Sequence, residues 1–567
     1  MEKTKRGNFR IAPVGIGLGI LLGAVGSAQA FGIETGNPDV KIRWDNTVRY
    51  TLGSRAKDCD KNICGNDAGA GDLTAYQSDR KFANSGDIVT NRIDLLSEFD
   101  FIYKRDTGFR VSAALWYDDA YDGKIKGDAV LDGILGGAFM GAGRSGGPYS
   151  RYTKRWNNGP SGEFLDAFVF TKFDLGDVPV NIKLGSHTVY WGESLFSAVG
   201  GIAYNQSPLD FRKALANPGV EAKEVFKPLN QFSWSAQVTD ELSLAGQYYF
   251  DWKPTSLPDG GTYWGAADGF GLGGNGTIFG VPTELTNMPD KKYGDWGLAA
   301  KWRPQWLDGN MGFFYREFTN TFPQLTLAGL AGPVPTLFGL DYSSDNGKRE
   351  KLYGFSLGKQ IEGVSFGLDL TYRPDAVLAA RPFATFAPPG ANPSSWVPKG
   401  DVSTAVLNAI AYFGKNPLFD SAALTAEVNY SRLGKVTENP GTFRGLGYNC
   451  DNANGYACPT KDAWGINILF NPTWFQVLDG VDLAMPMYYT EGLSGNSPVI
   501  FGDNEGQGSW SIGLKADVYN KYNFSLKYNG QLAKHQNDHL GAFSDNNASL
   551  GKYWDRDWIS FTFKTSF

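Results

Sequence analysis

Hydrophobic and polar side chains alternate along many segments of this chain. In residues 39–52, six apolar side chains from Val40 to Leu52 share one face, and mainly charged residues and threonines occupy the other. A period of two is the signature of a β-strand whose two faces meet different surroundings. The alternation recurs in residues 508–519 and 521–532 and, more weakly, near 92–103, 108–118, 163–174, 180–190, 231–239, 241–252, 295–303, 310–318, 351–360, 363–373, 402–413, 422–431, 462–470, 480–489 and 554–567. The pattern predicts about eighteen strands, with sixteen as the alternative count.

The connections between these strands alternate between short and long. Brief turns occur at 104–107, 239–240, 360–363 and around Asn520. Long segments lie near 53–91, 119–162, 191–230, 253–294, 319–350, 374–401, 432–461, 490–507 and 534–553. Outer-membrane barrels join their strands by short periplasmic turns and longer extracellular loops. The sequence therefore predicts an all-β fold, a single antiparallel transmembrane β-barrel formed by residues 31–567, in the outer membrane of a Gram-negative bacterium.

The two ends of the chain carry features of an exported barrel. Residues 1–30 combine basic residues, an apolar run from Ile11 to Val25 and the small-residue pattern Ala28-Gln29-Ala30, so they are expected to form a secretory signal peptide. The last predicted strand ends in Phe567. A terminal aromatic resembles the signal that the barrel-assembly machinery reads, so that machinery is an expected partner, together with outer-membrane lipid.

Composition excludes some classes of protein. The chain has 53 Lys and Arg against 59 Asp and Glu, with a net charge of −6, so a basic nucleic-acid binder is not expected. It also contains 72 Gly, 38 Phe, 27 Tyr and 16 Trp. Aromatic residues and glycines in an otherwise polar chain suit a surface that presents its aromatic rings to something other than water.

The polar faces of the predicted strands are expected to line a lumen. The candidate lining residues are Arg43, Asp45, Arg49, Arg92, Asp94, Glu98, Arg110 and His187. Because both signs of charge are present, no strong preference for anions or cations is predicted. A salt-bridged lining with no role in selectivity is the alternative.

The cysteines and histidines offer little for metal chemistry. Two local loop disulfides, Cys59–Cys64 and Cys450–Cys458, are expected in an exported chain. A site that joins all four cysteines is the alternative, although their spacing does not match a zinc motif. His535 and His539 stand four residues apart without a third ligand. No metal and no cofactor is therefore expected.

The third long connection, 191–230, is the candidate constriction. Its candidate ligand or constriction residues are Trp191, Glu193, Phe196, Tyr204, Asn205, Asp210 and Phe211. Asp210 is placed to cap a short helix that runs toward Ala216, and Pro218-Gly219 would end it. The connection either folds into the barrel, where its aromatic rings would meet a ligand, or packs outside over its neighbours.

The same region carries a family resemblance. The motifs are Gly185-Ser186-His187, Trp191-Gly192-Glu193-Ser194, Asn205, Pro208-Leu209-Asp210, Tyr372-Arg373-Pro374-Asp375-Ala376, Asp479-Gly480-Val481-Asp482-Leu483 and Asp555-Arg556-Asp557-Trp558. The chain resembles the proteobacterial domain-of-unknown-function family thirteen-zero-two. His187 stands where Gln is more usual, and Val377 replaces a frequent Pro.

The resemblance implies an outer-membrane-associated protein whose relatives are often encoded beside a periplasmic lipid-carrier-like protein, inner-membrane lipid exporters, or enzymes for steroids and terpenoids. It supplies no catalytic mechanism. The resulting prediction is a channel, not an enzyme, that passes small hydrophobic or amphipathic molecules such as lipids, steroids or terpenoid-like compounds, with the carrier and the exporter as partners. The alternatives are a general hydrophilic diffusion porin, a membrane-embedded hydrolase that uses His187 with Ser186 or Ser194, and a structural surface protein.

Overall fold

The computed structural model describes residues 31–60, 81–124, 148–197, 199–265, 277–278, 281–282, 285–287, 292–328, 337–341, 349–380, 397–448, 450, 458–533, 536–537, 543–544 and 553–567. The expected signal peptide, Cys64, His535 and His539 lie outside these residues.

Eighteen long strands form one antiparallel sheet that closes on itself, as the alternation predicts. The strands are β1 Val40–Arg55, β2 Ile88–Tyr103, β3 Thr107–Asp118, β4 Ser161–Leu175, β5 Val178–His187, β6 Leu229–Gln237, β7 Leu242–Tyr249, β8 Trp296–Trp302, β9 Gly309–Phe318, β10 Glu350–Ile361, β11 Val364–Val377, β12 Lys399–Phe413, β13 Ser421–Glu438, β14 Asp462–Leu478, β15 Val481–Ala484 with Met487–Ser494, β16 Gly508–Val518, β17 Tyr522–Leu532 and β18 Trp558–Ser566. Closure comes from β18, which pairs with β1 from Thr47 opposite Ser566 to Arg55 opposite Trp558.

Short turns join the strands at one end of the barrel, and long connections join them at the other. The turn between β10 and β11 consists of Glu362 and Gly363, and both residues have positive φ angles, 49° and 84°. Two consecutive left-handed residues form the turn that best matches the twist of a two-residue hairpin, and glycine adopts that conformation without steric cost. Sequence and turn geometry therefore agree on which end of the barrel carries the short turns.

The outer surface of the barrel is apolar. Side chains such as Leu298, Leu407 and Leu514 are about half exposed on it. Tyrosines of neighbouring strands contact one another near the long connections, for example Tyr315 and Tyr353, whose ring centroids lie 5.1 Å apart. An apolar band bordered by aromatic residues on a closed antiparallel sheet is the architecture of a bacterial outer-membrane barrel. In the part of the chain that the structure describes, no helix has the length and apolar character to cross a membrane.

The smaller elements belong to the connections. A short segment, Phe31–Ile33, pairs with the start of β1. Two helices, α1 Phe211–Ala216 and α2 Ala222–Val225, lie between β5 and β6. The remaining short elements are 3₁₀ turns at Asp119–Tyr121 and Pro440–Thr442, a helical turn at Arg151–Thr153 that continues as a π-helix at Lys154–Asn158, and strands at Thr277–Ile278, Val281–Pro282, Leu285–Asn287, Gln324–Ala328, Leu337–Asp341, Gln536–Asn537 and Phe543–Ser544.

The largest buried apolar cluster lies inside the barrel. Ile202 and Tyr204 of the connection between β5 and β6 pack there against Phe314, Leu352 and Val402 of the wall. A core in this position requires chain that enters the lumen, because a barrel of eighteen strands is too wide to be filled by its own inward side chains.

Candidate functional site

Residues 188–228, which connect β5 to β6, fold into the barrel; they are called the inward loop below. Thr404 of β12 donates a hydrogen bond of 2.5 Å to the carbonyl of Gly200. Arg49 of β1 donates one of 2.9 Å to the carbonyl of Gly219. These contacts join the loop to distant parts of the wall, so the chain follows the inward alternative and not the external one.

A buried carboxylate on β11 holds the first part of the inward loop. Asp369 accepts hydrogen bonds from the backbone N–H groups of Glu193 at 2.8 Å, Ser194 at 3.2 Å and Ile202 at 3.3 Å. Gly192 has a φ of +95°, and a Cβ at this position would overlap the Asp369 carboxylate. The glycine of the Trp-Gly-Glu-Ser motif is therefore needed for both the left-handed backbone and the close approach to the wall.

A second buried carboxylate, on β13, holds the next residues. Glu427 accepts hydrogen bonds from the backbone N–H groups of Leu195 at 2.6 Å, Phe196 at 3.2 Å and Ser197 at 2.7 Å. Its side chain is completely shielded from solvent. Hydrogen bonds to a charged acceptor are stronger than neutral ones, and loop N–H groups inside a barrel must find partners. The wall therefore fixes residues 193–197 and Ile202 through backbone groups.

The middle of the inward loop forms α1, and Asp210 caps it as the sequence predicts. The Asp210 side chain accepts hydrogen bonds from the backbone N–H groups of Arg212 and Lys213 and forms an ion pair of 2.5 Å with the Arg212 guanidinium. Burial alone would raise the pKa of Asp210, but the charge and hydrogen bonds of Arg212 outweigh it and hold this pKa well below the usual range. The cap is therefore ionised at neutral pH.

The last part of the inward loop is tied to the opposite wall by ion pairs. Glu224 of α2 forms a bidentate pair with Arg49, at 2.9 and 3.1 Å. Lys223 pairs with Glu98 of β2 at 2.5 Å. Glu221 pairs at 2.5 Å with a lysine of β18. The loop thus spans the lumen from β11–β13 to β1, β2 and β18.

A second segment, residues 251–265 between β7 and β8, also enters the barrel. It lies beside the inward loop, where Ser256 exchanges backbone hydrogen bonds of 2.8 and 2.9 Å with Leu209 and Phe211. Lys227 donates to the carbonyl of Pro254 at 2.8 Å, and burial lowers the pKa of Lys227 to about 7. The sequence does not predict this segment, because its buried residues show no period of two or of 3.6.

The inward loop leaves a cavity of about 330 Å³ against β13–β17, in the half of the barrel nearest the long connections. One side is apolar and is formed mainly by Phe196, Val199, Phe211, Leu215, Leu257, Val499 and Phe501. The other side carries Asn467, Thr490, Ser509 and Gln531, which are paired in register across β14, β15, β16 and β17. The cavity therefore presents an apolar surface and a line of hydrogen-bonding groups to its contents.

A second cavity, of about 420 Å³, lies in the half of the barrel nearest the short turns. The inward loop contributes Val189 and Trp191 to its lining, and the wall contributes Lys183, Ser233 and Lys301 among others. The start of the inward loop is therefore part of the wall of this second space.

The predicted lumen residues face the barrel interior, and most of their charges pair with one another or with the inward loop. Arg110 forms a bidentate pair with Asp100. Arg49 and Glu98 bind the inward loop, as described above. The remaining contacts among the predicted residues are ion pairs of 2.8 Å between Arg43 and Asp45 and between Arg92 and Asp94, and one of 3.5 Å between Arg49 and Asp94. Ion pairs therefore engage most of the charges on this part of the wall.

His187 is buried at the end of β5, and both ring nitrogens are engaged. Nδ1 donates to the carbonyl of Gly185 at 3.0 Å, because a carbonyl can only accept. Nε2 lies 2.7 Å from the hydroxyl of Ser233. The serines that the hydrolase alternative named bond elsewhere: Ser186 donates to a carbonyl of β4, and the Ser194 hydroxyl lies 3.0 Å from the Tyr190 hydroxyl.

Only part of the predicted constriction set reaches the first cavity. Phe196 and Phe211 line it. The expectation that Tyr204 presents its ring to a ligand is wrong, because the ring stacks on Phe322 at 5.8 Å and the Arg373 guanidinium covers it at 4.0 Å. The other members position the loop.

Those contacts are specific for each residue. Trp191 packs against Phe314 at 5.8 Å between ring centroids. The Glu193 carboxylate accepts a hydrogen bond of 3.1 Å from Asn310. The Asn205 side-chain oxygen accepts one of 2.9 Å from the backbone of Thr321.

One of the two expected disulfides lies within the described residues. Cys450 and Cys458 form a disulfide with a Cα–Cα distance of 5.6 Å. The expected partner of Cys59, Cys64, lies outside the described residues. Within the described ranges, no group of three or more His, Cys, Asp or Glu side chains is placed to hold a metal ion.

Several solved outer-membrane proteins are similar in fold at very low sequence identity. OpdK from Pseudomonas aeruginosa, solved with vanillate, shares 8% identity and covers 93% of this chain and 98% of its own, with a TM-score of 0.36. A BenF-like porin from Pseudomonas fluorescens Pf-5 shares 9% at the same coverage, with a TM-score of 0.39. OccAB4 from Acinetobacter baumannii shares 9%, covers 93% and 98%, and has a TM-score of 0.41.

No curated protein matches the chain at a significant level. One family model matches residues 11–567, which is nearly the whole chain. The chain belongs to the family described as "Protein of unknown function (DUF1302)".

Proposed function

We propose that the protein is an outer-membrane channel for small amphipathic molecules, which pass beside the inward loop through the cavity of about 330 Å³. The observation that carries this proposal is the two-sided lining of that cavity. A hydrophilic diffusion pore needs only polar walls, whereas ligand sites combine an apolar surface with a few placed polar groups.

The apolar side of the cavity is rigidly supported. The Phe211 ring stacks on Phe501 with 5.4 Å between centroids, and Phe196 lies 5.8 Å from Tyr488. Both phenylalanines belong to backbone that the wall or the α1 cap holds in place. An apolar solute body that covers these rings removes apolar surface from water on both partners, and this is the favourable term for its entry.

The cavity lining also includes buried polar side-chain atoms that have no hydrogen-bond partner among the described residues. Gln507 is 94% buried, and neither its amide oxygen nor its amide nitrogen has a hydrogen-bond partner among the described residues. The side-chain oxygens of Asn429 and Asn504 are in the same state. Buried polar atoms without partners are costly. A solute hydroxyl or carbonyl that reaches these atoms from the cavity would form hydrogen bonds with them.

The cavity volume favours a small solute, since ligand pockets begin at roughly 300 Å³. The family resemblance suggests terpenoid- or steroid-like compounds, and a lipid-like solute would be handed to or received from a periplasmic carrier and an inner-membrane exporter. These substrates and partners form part of the proposal, as does insertion by the barrel-assembly machinery.

Liposome swelling with two matched glycosides tests the proposal. Phenyl β-D-glucoside and methyl β-D-glucoside share one sugar and differ in the apolar group. We expect the phenyl compound to enter proteoliposomes faster, although it is larger. A general diffusion porin would pass the smaller methyl compound faster, and a structural surface protein would pass neither.

Phe211→Ser tests the site itself, because the variant removes the ring that faces the solute. We expect the preference for the phenyl compound to disappear while methyl glucoside entry persists. Tyr519→Ser is the matched control, since Tyr519 lies on an exposed short turn at the other end of the barrel. An unchanged phenyl preference in Phe211→Ser would contradict the proposed path.

A further inference from the structure

The charged side chain that lines the cavity beside the inward loop is negative. Asp503, in the connection between β15 and β16, contributes a carboxylate to its lining. The described lining residues include no Lys, Arg or His. This differs from the wall around β1–β3, where arginines pair with the carboxylates.

The Asp503 carboxylate lies close to the sheet and is held there by specific contacts. It bonds to the Asn429 side chain of β13, and its backbone carbonyl accepts a hydrogen bond of 2.9 Å from the N–H of Ser497. Gly465 of β14 lies beneath it, and a Cβ at Gly465 would overlap the carboxylate. The glycine of the Trp464-Gly465 pair therefore leaves the space that Asp503 occupies.

A second negative group strengthens the local field. Glu427 of β13 lies near enough for its charge to oppose the ionisation of Asp503. Its own bonds are to neutral backbone N–H groups, so no cation compensates it within the described contacts. An anion that enters the cavity meets repulsion from both carboxylates, and the interaction is stronger in a partly dehydrated space than in bulk water.

We infer that the cavity admits neutral and cationic amphipathic solutes and excludes anionic ones. The inference rests on the proposed channel function and narrows it to a charge class. It differs from the expectation drawn from the wall charges, which predicted no strong preference. The difference arises because the paired charges of β1–β3 do not line this cavity, whereas Asp503 does.

Reversal potentials in planar bilayers test the inference with permanently charged probes that do not cross lipid unaided. Benzyltrimethylammonium and benzenesulfonate carry similar rings and opposite charges. We expect the native protein to prefer the cation by about thirtyfold, because one unit charge about 4 Å away in water favours the cation about fivefold and disfavours the anion about fivefold. Asp503→Asn should reduce the ratio toward one. Asp420→Asn, on an exposed short turn, is the matched control and should leave the ratio unchanged.

Gly465→Ala provides an independent variant, because it displaces the carboxylate without removing it. We expect a lower cation preference in this variant as well. If the native channel conducts potassium chloride but prefers the sulfonate, or if Asp503→Asn folds and keeps the native ratio, the charge inference is overturned and the channel function stands. If the native protein carries no current with any of these ions, the channel function itself fails.

Discussion

The carboxylate of Glu427 accepts a hydrogen bond of 2.6 Å from the backbone N–H of Leu195, which lies 232 residues earlier in the chain. It also accepts one from the N–H of Phe196. A barrel strand and an inward loop are thereby joined through main-chain groups. At residues 195–197 the wall acid bonds main-chain groups, so these three contacts do not depend on the identity of the loop side chains. The exposed Leu195 side chain can therefore vary without loss of these bonds as long as the acceptor remains.

Replacing this acceptor should loosen the constriction. In Glu427→Ala, three N–H groups lose a charged acceptor, and each hydrogen bond of this kind contributes about 1.5–3 kcal/mol. We expect residues 195–197 to leave the wall, with larger single-channel conductance and more open-channel noise. Recordings at fixed voltage in planar bilayers measure both quantities.

Glu362→Ala is the control for that experiment, because Glu362 lies on a short turn remote from the inward loop. It should behave as the native protein does. Native conductance and native noise in Glu427→Ala would show that other contacts suffice to hold the loop.

The pair of Arg49 and Glu224 allows a double-mutant cycle. Both side chains are almost fully buried, and their bidentate contact joins β1 to α2. Removing Arg49 leaves the Glu224 carboxylate without a cation, which typically costs about 3–5 kcal/mol, whereas removing both residues leaves no unpaired charge, because Asp94 keeps its pair with Arg92. We expect Arg49→Ala to lower the urea midpoint of unfolding more than the double variant does.

The measurement is equilibrium unfolding of the barrel in detergent micelles, followed by tryptophan fluorescence. Lys415→Ala serves as the surface control, since its pair with Asp420 is exposed and surface ion pairs contribute about 0–1 kcal/mol. Additive losses in the double variant would mean that the two residues act independently.

The strands could be predicted from the sequence because lipid requires apolar side chains on the outer face of every strand. This requirement no longer applies at strand ends that extend beyond the lipid. The pattern near 422–431 predicts a strand of ten residues, yet β13 continues to Glu438. Beyond the apolar belt the exposed side chains of β13, Arg432 and Lys435, are charged, so hydrogen bonding continues where the apolar outer face stops. At β15 the strand is interrupted before Met487, because Pro486 has no N–H to donate.

The candidate site could be predicted only in part. Asp210 was recognisable because a cap acts on neighbouring residues. Asp503 and Gln507 were not, since their role depends on β13 and β14, which are distant in the sequence. The role of Tyr204 could not be predicted for the same reason: an aromatic residue in a loop contacts either a ligand or core side chains, and the distant Phe322 and Arg373 place this ring in the core.

The disulfide between Cys450 and Cys458 should stabilise the connection between β13 and β14. It closes a loop with a sequence separation of 8, for which the chain-entropy relation gives about 2.5 kcal/mol. We expect the Cys450→Ser, Cys458→Ser double variant to keep the barrel but to be cut faster by protease between β13 and β14. The native protein treated with a reductant should behave like the variant, and equal cutting rates in oxidised and reduced samples would contradict this role.

The cation preference should depend on pH through Asp503. Burial raises the pKa of Asp503 to about 6, with a further contribution from the charge of Glu427, while the hydrogen bond from Asn429 acts in the opposite direction. Tyr488 faces it from β15. Because the raised pKa lies below 7, the carboxylate is charged at pH 7.5 and becomes neutral as the pH falls through 6. The ratio of benzyltrimethylammonium to benzenesulfonate permeability should therefore fall between pH 7.5 and pH 5, with a midpoint near 6. The same titration of Asp503→Asn should be flat, and a fall of equal size in that variant would assign the effect to another group.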